Sequence, residues 1–122
     1  MKKILFIEDE SALQRAITQV LQEEGYQVLS ALNGELGIAT AQKELPDLIL
    51  LDIVLPKKDG FQVLEELKSS ASTKDIPIII LSNLEANEDV EKAIERGATT
   101  YLIKTNYELD EVVEKIKQTL GE

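Results

Sequence analysis

The sequence predicts an α/β fold, a single doubly wound sheet of five parallel strands with five helices. Three observations carry that expectation. Short apolar runs alternate with longer segments whose apolar residues recur every three or four positions. Helix start and stop signals fall between the two kinds of segment. A length of 122 residues allows one core and little beyond it.

The apolar runs are Ile4–Ile7, Val28–Leu32, Asp47–Leu51, Ile76–Leu81 and Thr100–Ile103. They are nearly continuous in Ile, Leu and Val or tightly bounded by polar residues, as strands covered on both faces must be. The amphipathic segments carry Leu13, Ala16, Ile17, Val20 and Leu21; Leu36 and Ala39; Phe61, Val63, Leu64 and Leu67; Val90, Ala93 and Ile94; and Leu109, Val112, Val113, Ile116 and Leu120. Each stripe matches one buried helical face. Ser11-x-x-Gln14, Asp59-x-x-Gln62 and Thr105-x-x-Glu108 have the form of capping boxes or close variants. Gly25 and Gly97 stand where the first and fourth helices should end. With no linker or low-complexity stretch, residues 1–122 are expected to form one domain.

Composition narrows function before any motif is considered. There are 13 Lys+Arg against 23 Asp+Glu, a net charge of −10, and neither Cys nor His. Disulfide frameworks, Cys/His zinc sites, and Ser-His or Cys-His nucleophiles are therefore excluded. The negative charge argues against direct nucleic-acid binding. The start, Met1-Lys2-Lys3 and then Ile4 to Ile7, meets Glu8-Asp9-Glu10 too early for a signal peptide, and no run approaches the roughly 20 residues of a membrane span. A cytoplasmic protein is expected.

Ligands of an open parallel sheet bind beyond the carboxyl ends of its strands, where the strand order reverses. The first strand leads into Glu8-Asp9-Glu10, the third into Asp52, the fourth into Ser82-Asn83 and the fifth into Lys104. With strand order 2-1-3-4-5 the first and third strands are neighbours, so Glu8, Asp9 and Asp52 converge. Two carboxylates about 5 Å apart repel by on the order of 3 kcal/mol at an effective dielectric near 20. A hard divalent cation relieves that repulsion, and few direct carboxylates completed by water suit Mg²⁺ better than Ca²⁺. Lys104 and Ser82 supply an ammonium and a hydroxyl able to hold the remaining oxygens of a phosphoryl group.

The run Ile4-Leu5-Phe6-Ile7-Glu8-Asp9-Glu10, the segment Pro46 to Pro56 with Asp52 and with Gly60 behind it, Ile78-Ile79-Ile80-Leu81-Ser82, and Gly97-Ala98 before Tyr101-Leu102-Ile103-Lys104 resemble the receiver domain of two-component response regulators. The match covers essentially the whole chain in order and spacing. This resemblance implies a flavodoxin-like fold and a phosphorylation switch. Asp52 would accept a phosphoryl group from the phosphohistidine of a histidine kinase or histidine phosphotransfer protein. Asp9, Asp52 and the Val54 carbonyl would ligate Mg²⁺, with Glu8 acting through water. Ser82 and Lys104 would hold phosphoryl oxygens, and Tyr101 would follow Ser82 as the aromatic switch. The missing histidine would come from the partner. The family further implies an output surface on the fourth helix, fifth strand and fifth helix, engaging a protein target or a second copy, and no activity beyond self-phosphorylation and slow dephosphorylation.

Three departures from the family pattern carry expectations. Thr105 follows Lys104 where the family usually has a cis-linked Pro, so a trans bond is expected, with Thr105 capping the last helix opposite Glu108. Asn83 replaces a small residue near the acceptor. Val54 and Leu84 occupy positions that in the family tune phosphoryl hydrolysis, and both are apolar. Rival functions fit less well. A flavin carrier needs a phosphate-binding loop where three carboxylates stand. An aspartate-nucleophile phosphatase needs a second Asp where Val54 stands. A receiver-like interaction domain that takes no phosphate is the remaining alternative.

Overall fold

In the computed structural model, which describes residues 1–122, every apolar run becomes a parallel strand: β1 (Lys3–Ile7), β2 (Gln27–Ala31), β3 (Leu48–Leu51), β4 (Ile78–Ser82) and β5 (Thr100–Ile103). The sheet order is β2-β1-β3-β4-β5, as expected. Between and after the strands run α1 (Ser11–Glu23), α2 (Gly34–Glu44), α3 (Gly60–Ser69), α4 (Asn87–Glu95) and α5 (Leu109–Leu120), with a 3₁₀ turn over Lys104–Asn106 before the last.

Side-chain alternation divides the central strands between two layers. Leu5, Ile7, Ile49, Leu51, Ile78 and Ile80 pack with Ile38 and Ala41 of α2, Val63, Leu64 and Leu67 of α3, and Ala93 of α4. Ile4, Phe6, Leu48, Leu50, Ile79 and Leu81 pack on the other face with Ile17 and Leu21 of α1 and Val112, Val113 and Ile116 of α5. Burial on both faces is why these strands read as unbroken Ile and Leu. No helix is long and apolar enough to cross a membrane.

Several element ends differ from expectation, each for a local reason. β2 stops at Ala31 because Asn33 caps α2, its side chain accepting from the Leu36 amide, and Leu32 is left exposed. β3 begins at Leu48, with the Asp47 carboxylate accepting the Lys3 amide at 2.7 Å instead. β4 begins after Pro77, since Ile76 donates to Thr73 in the preceding turn. The Asp59–Gln62 capping box is present. The other two are not. Ser11 is already helical and Gln14 turns inward. Thr105 lies inside the 3₁₀ turn, and the N-cap of α5 is Glu108, whose amide donates to the Glu111 carboxylate at 2.9 Å. Gly25 and Gly97 follow α1 and α4 with φ of +93° and +108°, a backbone region that favours glycine. The Lys104–Thr105 bond is trans, as every peptide bond is.

Candidate functional site

Strand register assembles the site. Ile7 pairs with Leu51, so the next residues, Glu8 and Asp52, leave the sheet side by side, and the Asp52 amide donates to the Ile7 carbonyl at 3.0 Å. Ser82 pairs with Ile103, which places Lys104 one residue beyond. Four strand ends therefore deliver their polar residues to one edge of the sheet. Glu8, Asp9, Glu10, Asp52, Val54, Asn83 and Lys104 line a cavity of about 420 Å³ there, the one pocket of the molecule. Glu8, Asp9 and Asp52 each offer a carboxylate oxygen, all within 4.8 Å of one another.

The carboxylates differ in exposure. Glu8 is fully buried and Asp52 is 4% exposed, whereas Asp9 faces solvent. Lys104 reaches over the pair, its Nζ 2.8 Å from Glu8 Oε1 and 3.1 Å from Asp52 Oδ2. Only the Asp52 contact is aligned as a hydrogen bond. Glu8 Oε1 thus faces a cation with no in-line donor, while Oε2 accepts the Glu10 amide at 3.1 Å. Burial pushes the Glu8 carboxyl above its ordinary value, against the opposing pull of Lys104. For Lys104 burial also works against the charged form, but the two carboxylates prevail and raise it.

The loop after β3 holds Asp52 by its backbone. The Val54 amide donates to Asp52 Oδ1 at 3.3 Å, and the Gly60 amide closes the loop on the Ile53 carbonyl at 2.7 Å. A Cβ at Gly60 would lie 2.4 Å from the Asp52 carbonyl oxygen, so this close approach requires glycine. The Val54 side chain points to solvent, 58% exposed, while the residue lines the pocket.

Ser82 is fully buried, and its Oγ accepts the Leu84 amide at 3.3 Å. Tyr101 is half-buried and donates its hydroxyl to the Leu84 carbonyl at 2.7 Å. Burial raises the Tyr101 pKa, with the nearby Ser82 hydroxyl pulling the other way. Ser82 and Tyr101 therefore meet on the same two-residue turn, although Ser82 is not among the residues lining the cavity.

Gln14, expected as the partner of Ser11 in a capping box, instead lies buried against this edge. Gln14 is 4% exposed, and its amide nitrogen donates to the carbonyls of Phe6, Glu8 and Ala31. A signal for it exists in the sequence. Positions 14, 17 and 21 share one helical face, and Ile17 and Leu21 on that face are core.

The donor set fits a hard cation: closely spaced carboxylate oxygens, one of them buried without an aligned donor, and no nitrogen or sulfur ligand. Comparison with known proteins identifies the family. The family model described as the response regulator receiver domain matches residues 4–117. The chain is 38% identical over 104 residues to protein PilH of Pseudomonas aeruginosa, covering 85% of this chain and 86% of that one. It is 36% identical over 120 residues to the DNA-binding dual master transcriptional regulator RpaA of Synechocystis, covering 98% of this chain but only 49% of that protein, so it spans about half of RpaA. The receiver domain of sensor histidine kinase PA1611 from Pseudomonas aeruginosa, solved with a magnesium ion in its active-site cleft, superposes with a TM-score of 0.89 at 27% identity over 99% of this chain and 98% of that one. With the acidic strand-end pocket, the facing lysine and the 2-1-3-4-5 sheet all present, the chain belongs to the response regulator receiver domain family.

Proposed function

We propose that residues 1–122 form one phosphoacceptor receiver domain of a cytoplasmic two-component system, in which Asp52 takes a phosphoryl group from a partner phosphohistidine and thereby switches a protein-interaction surface. The observation that supports this most is the placement of Lys104, whose ammonium contacts Glu8 and Asp52 together at the mouth of the only pocket. Asp52 is held by the Val54 amide at one oxygen and by Lys104 at the other. In-line transfer forms a bond from an Asp52 oxygen to phosphorus as the phosphorus–nitrogen bond of the donor breaks, and the departing imidazole nitrogen recovers its lone pair and is then protonated.

Asp9, Asp52 and the Val54 carbonyl would hold Mg²⁺, with Glu8 acting through water. Bound there, the ion would neutralise charge on the phosphoryl oxygens. Lys104 would turn from the carboxylates to a phosphoryl oxygen, and the Ser82 hydroxyl would donate to another. The Ser82 Oγ accepts the Leu84 amide with its own O–H still free to donate, and Tyr101 holds the Leu84 carbonyl, so a shift of Ser82 toward the phosphoryl group would pull on that turn. Charge added at Asp52 would thus be felt in the turn between β4 and α4. The surface of α4, β5 and α5 would then engage a protein target or a second copy, without direct nucleic-acid contact by this domain.

Incubation with Mg²⁺ and acetyl phosphate should add one acid-stable, base-labile phosphoryl group, and Asp52→Asn should abolish it. Absence of labelling by both acetyl phosphate and a phosphorylated histidine kinase would favour the interaction domain that takes no phosphate. The chain's own chemistry should end with slow hydrolysis. Val54 is apolar and exposed and Leu84 is apolar, so neither side chain can orient a water. The phosphorylated form should persist for minutes or longer after donor removal, and a half-life of seconds contradicts this.

A further inference from the structure

We infer that Gln14 is a positioning residue for the acidic edge, setting the orientation of the Glu8–Asp9 peptide and hence the affinity of the pocket for a divalent cation. The inference rests on the metal-binding reading above, and Gln14 touches neither metal nor phosphoryl group.

The chain after β1 must leave the sheet and deliver two neighbouring carboxylates in different directions, Glu8 inward and Asp9 outward. At this turn the Glu8 carbonyl accepts no backbone amide. Gln14 supplies a donor from the side. Its Nε2 lies 2.9 Å from the Phe6 carbonyl, 3.3 Å from that of Ala31 and 3.4 Å from that of Glu8. Two N–H groups serve three acceptors, so the two longer contacts share or bifurcate a proton. The Ala31 carbonyl also accepts the Glu8 amide at 3.0 Å. One buried side chain on α1 therefore ties together the end of β1, the end of β2 and the peptide linking Glu8 to Asp9.

Rotation of that peptide would swing both carboxylates, since the Glu8 carbonyl and the Asp9 amide belong to one planar unit. Groups that orient the ligands of a metal typically contribute 10–100-fold to its affinity when removed. A Gln kept only for packing could be exchanged for Met, which has nearly the same length and volume and no donor.

The discriminating experiment titrates Mg²⁺ into wild type, Gln14→Met and Gln14→Arg by calorimetry, with urea unfolding in EDTA alongside. Gln14→Met should weaken Mg²⁺ binding by roughly tenfold while keeping a cooperative unfolding transition. Gln14→Arg, which restores N–H donors, should recover part of the affinity. A Gln14→Met protein that is less stable but binds Mg²⁺ as wild type does overturns the inference, because a purely structural role predicts that pattern. Should Gln14→Met fail to fold, Gln14→Leu, which also lacks a donor, is titrated in its place: weaker Mg²⁺ binding than wild type supports the inference and wild-type binding overturns it. If wild type itself binds no Mg²⁺, the metal-binding reading fails first and this inference with it.

Discussion

Replacing Lys104 with Met should destabilise the metal-free protein by about 3 kcal/mol at neutral pH, the low end for breaking a buried ion pair because the pocket opens to solvent on one side. The Lys104 side chain is 14% exposed and stands between a Glu8 side chain at 0% and an Asp52 side chain at 5%. Without it, two adjacent carboxylates remain out of water with no cation between them. At roughly 3–5 °C per kcal/mol for a domain of this size, Tm in EDTA should fall by about 10 °C. Mg²⁺ should restore part of that loss, since a divalent ion bound by the same oxygens replaces the missing charge and stabilises only the folded state. Thermal melts with EDTA and with saturating Mg²⁺ measure both effects. A variant as stable as wild type in EDTA would show that the ammonium contributes nothing to this edge.

The pH dependence of the same variant has a definite sign. Burial raises the folded-state pKa of Glu8 above its unfolded value, so the folded chain binds that proton more tightly. Charged Glu8 therefore costs stability above its folded pKa, and the cost recedes as pH falls toward the unfolded value. Lys104 is raised too, so its stabilisation is present below its unfolded pKa and is lost as pH rises through the folded one. Removing Lys104 deletes the alkaline loss and pushes Glu8 further up. The gap between Lys104→Met and wild type should consequently narrow as pH falls from neutrality toward the ordinary carboxylate range. Adding Glu8→Gln to Lys104→Met should recover much of the stability, and the cycle of single and double variants isolates the coupling.

How far such a site can be read from sequence depends on which forces build it. Strands covered on both faces must be apolar throughout, so β1, β3 and β4 were legible as unbroken runs, and their carboxyl ends marked Glu8, Asp52 and Ser82 as neighbours once the sheet order was assumed. Lys104 was legible for the same reason, by its place at the end of β5. Polar residues with two plausible partners were not. Ser11-x-x-Gln14 has the spacing of a capping box, but three carbonyls inside the β1–α1 turn compete for the Gln14 amide. Thr105 does not cap because the chain makes a 3₁₀ turn over Lys104–Asn106 before α5, which moves the N-cap to Glu108. Backbone approach is also silent in sequence. Gly60 reads as an ordinary helix-start glycine, and only the packing of the loop against the Asp52 carbonyl shows what it permits.

Gly60→Ala should therefore cost more than any helix-propensity argument allows. Alanine would normally favour α3, whose first residue this is. Its Cβ would instead sit 2.4 Å from the Asp52 carbonyl oxygen and 2.5 Å from the Ile53 Cα, and both are backbone atoms with no rotamer to yield. Relief requires the β3–α3 loop to move, breaking the Gly60–Ile53 hydrogen bond and shifting the segment that carries Asp52 and Val54 at the pocket. We expect a loss of about 3 kcal/mol, at the upper end of overpacking, together with weaker Mg²⁺ binding. Gly25→Ala provides the contrast. Its φ of +93° makes alanine strained, yet nothing lies within 4 Å of the added carbon. That variant should lose only about 1 kcal/mol and bind Mg²⁺ with unchanged affinity, because strain at the end of α1 is remote from the pocket. Equal losses in the two variants, or wild-type Mg²⁺ binding in Gly60→Ala, would mean that the loop absorbs the extra methyl without moving Asp52.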